Sequence, residues 1–309
     1  MTVISYGATK PEIVNLAHEN FVQPAMDVRT LCTTPIELLS KDGEERVVSS
    51  ATGFFWLHNG QAYLVTNWHV VSGRDPFTGQ ISSPTGYTPS QFNFYGTSIE
   101  VKDGKVAIER KRIRITLGPH AEEVLDKPPL VAGGPVDLWA MQVPNELLFG
   151  LDPTRTGFKG AETVTCFINE NAFQRILTQA GDECVILGYP LRNYAGGMFP
   201  IWKSGSIASE VGFGVDGHPM FLIDAATTPG MSGSPILRRV STITASNTEL
   251  GALQEFHALE FIGVYAGRLQ SADLAATNLG YGWYQVLIPD VVRQFESNLA
   301  AKVNATPVD

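Results

Sequence analysis

Residues 230–235 read Gly230-Met231-Ser232-Gly233-Ser234-Pro235. A serine set between glycines and closed by a proline sits on a tight turn, its hydroxyl outward and the neighbouring amides pointing the same way. Acyl transfer needs that geometry, a nucleophile beside two N–H donors that can hold an oxyanion. Gly, Ser and Pro clusters also mark ordinary turns. The hexapeptide by itself leaves both readings open, and two other segments bear on the choice.

The first is Leu64-Val65-Thr66-Asn67-Trp68-His69-Val70-Val71, where an apolar run stops at a polar pair and a histidine follows. Upstream lie an apolar run at 50–57 and the turn His58-Asn59-Gly60. Asn-Gly between two strand-like runs predicts a hairpin. His69 then falls just past the second strand, at the start of a loop or short helix. There it is either a core histidine bonded to a carbonyl or a base that reaches a nucleophile from elsewhere in the fold. The second segment, residues 135–143, places the lone acid Asp137 at the opening of an almost wholly apolar strand. A carboxylate entering a buried strand is costly unless it finds a hydrogen-bond partner. The Nδ1–H of His69 is such a partner, and the bond would fix the tautomer that turns Nε2 to Ser232. The alternative is that Asp137 only starts the strand after Gly133-Gly134-Pro135.

The order is His, Asp, Ser. The runs TNWHVV (66–71), VDLWAMQV (136–143) and PGMSGSPIL (229–237) resemble the three catalytic blocks of the trypsin-like, chymotrypsin-fold serine peptidases. The resemblance is closest to the bacterial high-temperature-requirement branch. It continues through VILGYPL (185–191), KSGSIAS (203–209), FLIDAA (221–226), FIGVYAG (261–267) and YQVLIPD (284–290). It implies an all-β fold of two six-stranded antiparallel β-barrels with a C-terminal helix. Its triad would be His69, Asp137 and Ser232, with the amides of Gly230 and Ser232 as the oxyanion hole. Ser234 is the rival nucleophile, but the family pattern places the nucleophile before the second glycine. Ala226, six residues before Ser232, stands where trypsin-type enzymes carry a pocket carboxylate, so a basic preference is not expected; a small or medium apolar residue is. The strand Val264-Tyr265-Ala266 is expected to pair with substrate backbone. Tyr265 is either a pocket wall or core. Arg268 either faces solvent or favours an acidic side chain. Met231 stands where digestive relatives carry an aspartate that binds a freed N-terminus, so that mode of activation is not expected.

The organisation expected along the 309 residues is an N-terminal segment (1–27) with a short helix at 10–20, a first barrel (28–155) and a second (156–288). A helix and tail (289–309) follow. Pro289 and Asp290 suit the helix's first turn, and Val291, Val292, Phe295 and Leu299 form its apolar face, expected to pack on the second barrel. Residues 73–96 and 239–257 read as insertions. Lys111-Arg112-Ile113-Arg114 reads as a solvated strand face.

With 22 basic and 31 acidic residues the net charge is −9, which offers no footprint for nucleic acid. No run approaches the about 18 apolar residues of a membrane span. Three cysteines and no signal-like start point to a reducing, cytoplasmic setting. The six histidines lack ligand spacing and no phosphate loop follows a strand, so no metal or cofactor is expected. The partner is a protein or peptide substrate. The alternative reading is a latent or non-cleaving protein-binding module, activated or recruited by a protein partner. Members of the branch usually carry a PDZ domain after the peptidase; none is expected here, so trimer formation and chaperone activity are not carried over.

Overall fold

Alternating apolar and polar residues build two sheets. The computed structural model describes residues 2–5, 27–39, 46–82, 89–102, 105–117, 125–144, 167–169, 178–194, 198–245, 253–269 and 278–305. The helix expected at 10–20 and the boundary expected near 150–160 lie outside the described residues. In chain order the first strands are β1 (Thr2–Ser5), β2 (Thr33–Leu39), β3 (Val47–His58) and β4 (Gln61–Thr66). The short helix α1 (Trp68–Ser72) precedes β5 (Gln91–Lys102) and β6 (Lys105–Thr116). The small hairpin β7 (Leu130–Val131) and β8 (Gly134–Pro135) then leads to β9 (Trp139–Val143). Seven of these form an open, antiparallel half-barrel in the order β1-β6-β5-β2-β3-β4-β9. The Asn59-Gly60 turn joins β3 to β4 with φ of 49° and 77°. Those positive values are what a two-residue hairpin turn demands and what Asn-Gly supplies.

The second sheet closes. Its strands are β10 (Glu183–Gly188), β11 (Ile201–Ile207), β12 (Met220–Asp224), β13 (Pro235–Ala245), β14 (Leu253–Arg268) and β15 (Leu279–Tyr284). They form a six-stranded barrel in the order β10-β11-β12-β15-β14-β13. The helix α2 (Ile288–Ala305) follows. The all-β, two-sheet architecture of the chymotrypsin type with a terminal helix is therefore present, the first sheet being a seven-stranded half-barrel where six closed strands were expected. No helix among the described residues is long and apolar enough to cross a membrane.

One buried cluster joins the sheets. Phe54, Trp56 and Val65 of the first pack with Phe261, Val264 and Trp283 of the second. The ring of Phe261 meets Phe54 edge-on at 5.4 Å and Trp56 at 5.9 Å. Burying each such ring is worth about 2 kcal/mol. Cys184 is a core residue, and burial pushes its thiol up to about 12.

Four expectations need correction. The helix α2 lies against β9 and β7, not chiefly the second barrel. Its Phe295 meets Tyr63 edge-on, Glu296 accepts the Tyr63 hydroxyl at 2.5 Å, and the Gln294 amide exchanges bonds with the Leu130 backbone. Those polar neighbours of the apolar stripe find their partners on β4 and on the β7–β8 hairpin. Arg114 is buried, its Nε donating to Asn93 Oδ1 at 3.1 Å, because β6 lies inside its sheet between β1 and β5. Within the stretch at 239–257, residues 239–245 and 253–257 are strand: β13 and β14 pair from Pro235↔Val264 out to Ala245↔Leu253, a long two-stranded ribbon. The stretch at 73–96 ends earlier than expected, since β5 begins at Gln91. Its start is a loop in which Asp75 Oδ1 accepts the amides of Phe77 and Thr78, and Phe77 packs on His218 and Trp283 of the second barrel.

Candidate active site

The turn 229–233 joins β12 to β13, and its glycines are demanded by packing. Gly230 and Gly233 have φ of 97° and 84°. A Cβ on Gly230 would strike the Tyr189 carbonyl, and one on Gly233 the Thr52 carbonyl and the Thr66 hydroxyl. This close approach lets the first sheet hold the turn. Thr52 donates its amide to the Ser232 carbonyl and its hydroxyl to the Gly230 carbonyl, both at 2.8 Å. From the second barrel, Gly233 donates to the Tyr265 carbonyl and Tyr265 to the Ser234 carbonyl, again at 2.8 Å. Ser232 is half-buried, whereas Ser234 and Met231 are buried.

The amides of Gly230 and Ser232 donate to no acceptor among the described residues. The Pro229 carbonyl, on the far side of the same peptide plane, accepts from the Leu191 amide at 2.7 Å. In a trans peptide the N–H points opposite to its C=O. The Gly230 N–H is thereby held facing away from Leu191, free for a ligand.

His69 sits in α1, three residues after Thr66 ends β4. Asp137 is fully buried in the turn just before β9, which pairs with β4 from Thr66↔Trp139. That pairing brings acid and base together. Asp137 Oδ2 lies 2.6 Å from His69 Nδ1, and Oδ1 accepts the His69 backbone amide at 2.8 Å. Asn67 steadies the turn by donating its side-chain amide to the Asp137 carbonyl at 2.8 Å. Burial by itself would lower the imidazole pKa. The charge and hydrogen bond of Asp137, with Asp75 beyond, outweigh it and raise the pKa above the ordinary histidine value. The Ser232 hydroxyl donates to the Ala266 carbonyl at 2.9 Å, and no hydrogen bond joins it to His69.

The other expected residues are placed as follows. Ala226 is exposed on the segment entering the serine turn. Val264 and Ala266 are buried in the cluster between the sheets. Val264 pairs with Pro235 on one edge and Trp283 on the other, and Tyr265 is bonded to Gly233 and Ser234 on one edge and lies opposite Gly282 on the other. The edge open to a substrate strand thus starts at Ala266, later than expected. Leu269 donates to Leu279 on β15 at 3.0 Å. Backbone groups alternate along a strand, so the amide and carbonyl of Arg268 face the opposite, unpaired edge.

Residues 51–241, which hold His69, Asp137 and Ser232, match the trypsin-like peptidase domain. The chain belongs to that family. No curated protein matches it. Among solved structures, an inactive serine-to-alanine mutant of Rv3671c from M. tuberculosis H37Rv matches at 16% identity over 91% of each chain, with a TM-score of 0.37.

Several residues of this trypsin-like peptidase domain escaped the sequence reading. Thr52 and Asn67 hold the serine turn and the aspartate turn; the polar break Thr66-Asn67 in an apolar run was the signal for the second. Tyr265 directs its hydroxyl to Thr227 Oγ1, and Arg268 donates to the Thr227 carbonyl. Nothing in the local sequence joins 227 to 265 or 268, which meet only across the barrel.

Proposed function

We propose that the protein is a serine endopeptidase acting on protein substrates through His69, Asp137 and Ser232. One observation carries the reading: a buried carboxylate clamps both the amide and the Nδ1 of His69. With Nδ1 engaged, Nε2 is left to take the Ser232 proton as Oγ attacks a peptide carbonyl. The oxyanion forms between the free amides of Gly230 and Ser232, each worth about 3 kcal/mol in the transition state. The imidazolium then protonates the leaving amine, the acyl-serine forms, and a water deprotonated by His69 releases it. Ala266–Arg268 offers its free edge to the substrate backbone. The runs at 185–191 and 284–290 support a place near the high-temperature-requirement branch, and the small, odd number of cysteines supports a reducing, cytoplasmic setting.

A second reading, a latent peptidase switched on by a partner, is favoured by the Ser232 hydroxyl being turned to Ala266. A fluorophosphonate probe separates them. The purified wild type should label and a Ser232→Ala variant should not. A wild type that stays unlabelled until a partner is added is latent, and labelling of both proteins places the nucleophile elsewhere.

A further inference from the structure

The substrate side chain next to the cleaved bond has one place to go. With its carbonyl at the Gly230 and Ser232 amides and its backbone along Ala266–Arg268, that residue hangs between the segment 226–230 and the end of β14. Three side-chain groups converge there. Thr227 is buried on the first wall. Tyr265 crosses the gap so that its hydroxyl and Thr227 Oγ1 share a hydrogen bond. Arg268 reaches over from the strand end to the Thr227 carbonyl. At the back stands Gly280, where a Cβ would come within 2.7 Å of the Tyr265 ring and 2.9 Å of its hydroxyl oxygen.

Thr227 and Tyr265 are buried side chains, and their bond closes the floor of this place. It is also a set of donors without an anion. Two hydroxyls bonded to each other use one proton and leave the other to donate. Arg268 spends one guanidinium donor on a carbonyl and makes no ion pair among the described residues, unlike Arg29, Arg238, Arg239 and Arg293. A guanidinium has five donors in a planar fork, and the remaining ones suit a carboxylate. Burial holds the Tyr265 hydroxyl protonated, its pKa raised despite Thr227 and Arg268. Ala226 at the mouth brings no charge of its own.

We propose that Thr227, Tyr265 and Arg268 form the specificity site for the residue preceding the cleaved bond, and that they select an acidic side chain, glutamate or aspartate. The inference rests on the peptidase reading above. It chooses the acidic preference over the small or apolar one that Ala226 suggests.

The test uses the full chain, a fluorophosphonate probe and peptides that differ only at the residue preceding the bond. Glutamate should exceed its neutral isostere glutamine in kcat/KM by about 30-fold, the scale of one charge-assisted bidentate contact. Arg268→Gln should erase that ratio, and Arg268→Glu should turn the preference to lysine. Because Arg268 is exposed, both variants are expected to fold. Tyr265→Phe should reduce the ratio by about 5-fold, the loss of one neutral hydrogen bond. A labelled wild type that prefers basic, large apolar or only small residues, with a ratio indifferent to Arg268, overturns the acidic site and leaves the peptidase standing. A wild type that neither labels nor cleaves under any condition overturns both.

Discussion

Asp137 is the residue on which the proposed chemistry turns, since its two oxygens hold two different atoms of His69. Asparagine could keep the bond to the backbone amide but would present an NH₂ to Nδ1, forcing the tautomer that leaves Nε2 protonated. An Asp137→Asn variant should lose on the order of 10⁴-fold in kcat. The pH profile carries the sign. A base must be neutral, and the raised pKa of His69 puts the acid limb of kcat/KM above the ordinary value of about 6.5. Removing the carboxylate leaves burial dominant, so the limb should move below that value. A limb that stays put would mean the carboxylate does not act on the imidazole. This residue was legible as a lone acid before an apolar strand. Its second bond, to the amide, was not, because it depends on α1 starting where β4 stops.

Among the elements, hairpins marked by Asn-Gly could be read from the chain, whereas longer pairings could not. The ribbon of β13 and β14 looked like an insertion because its sequence mixes polar and apolar residues without a clear alternation, and its register shows only in the pairing. The helix α2 was legible as a helix from its apolar stripe, but the partner of that stripe was not. The stripe says how much surface must be covered; Glu296 and Gln294 decide against what, through Tyr63 and Leu130. Val292 is fully buried in that contact. Val292→Ala should cost about 2 kcal/mol, a methyl pair lost from a packed site. Urea unfolding checks it. A loss near zero would mean the helix end is not bearing on the sheet.

The two sheets have no separate cores at their seam, since Phe54, Trp56, Phe261 and Trp283 share one cluster. The chain should therefore unfold in a single transition, with tryptophan fluorescence and far-UV circular dichroism coincident in denaturant. Phe261→Ala should shift the midpoint of both signals together; two resolved steps would show the sheets to be independent. Family-scale architecture was legible because its blocks recur in order, while the number of strands in the first sheet depends on pairings distant in sequence. The stitch from Thr52 to Gly230 and Ser232 has a consequence in time. On a ribosome, His69 and Asp137 emerge long before the serine, and the serine's turn stays unanchored until it reaches Thr52, already made. The cover over β9 comes later still, with α2. The proposed triad is thus incomplete through most of the chain's synthesis.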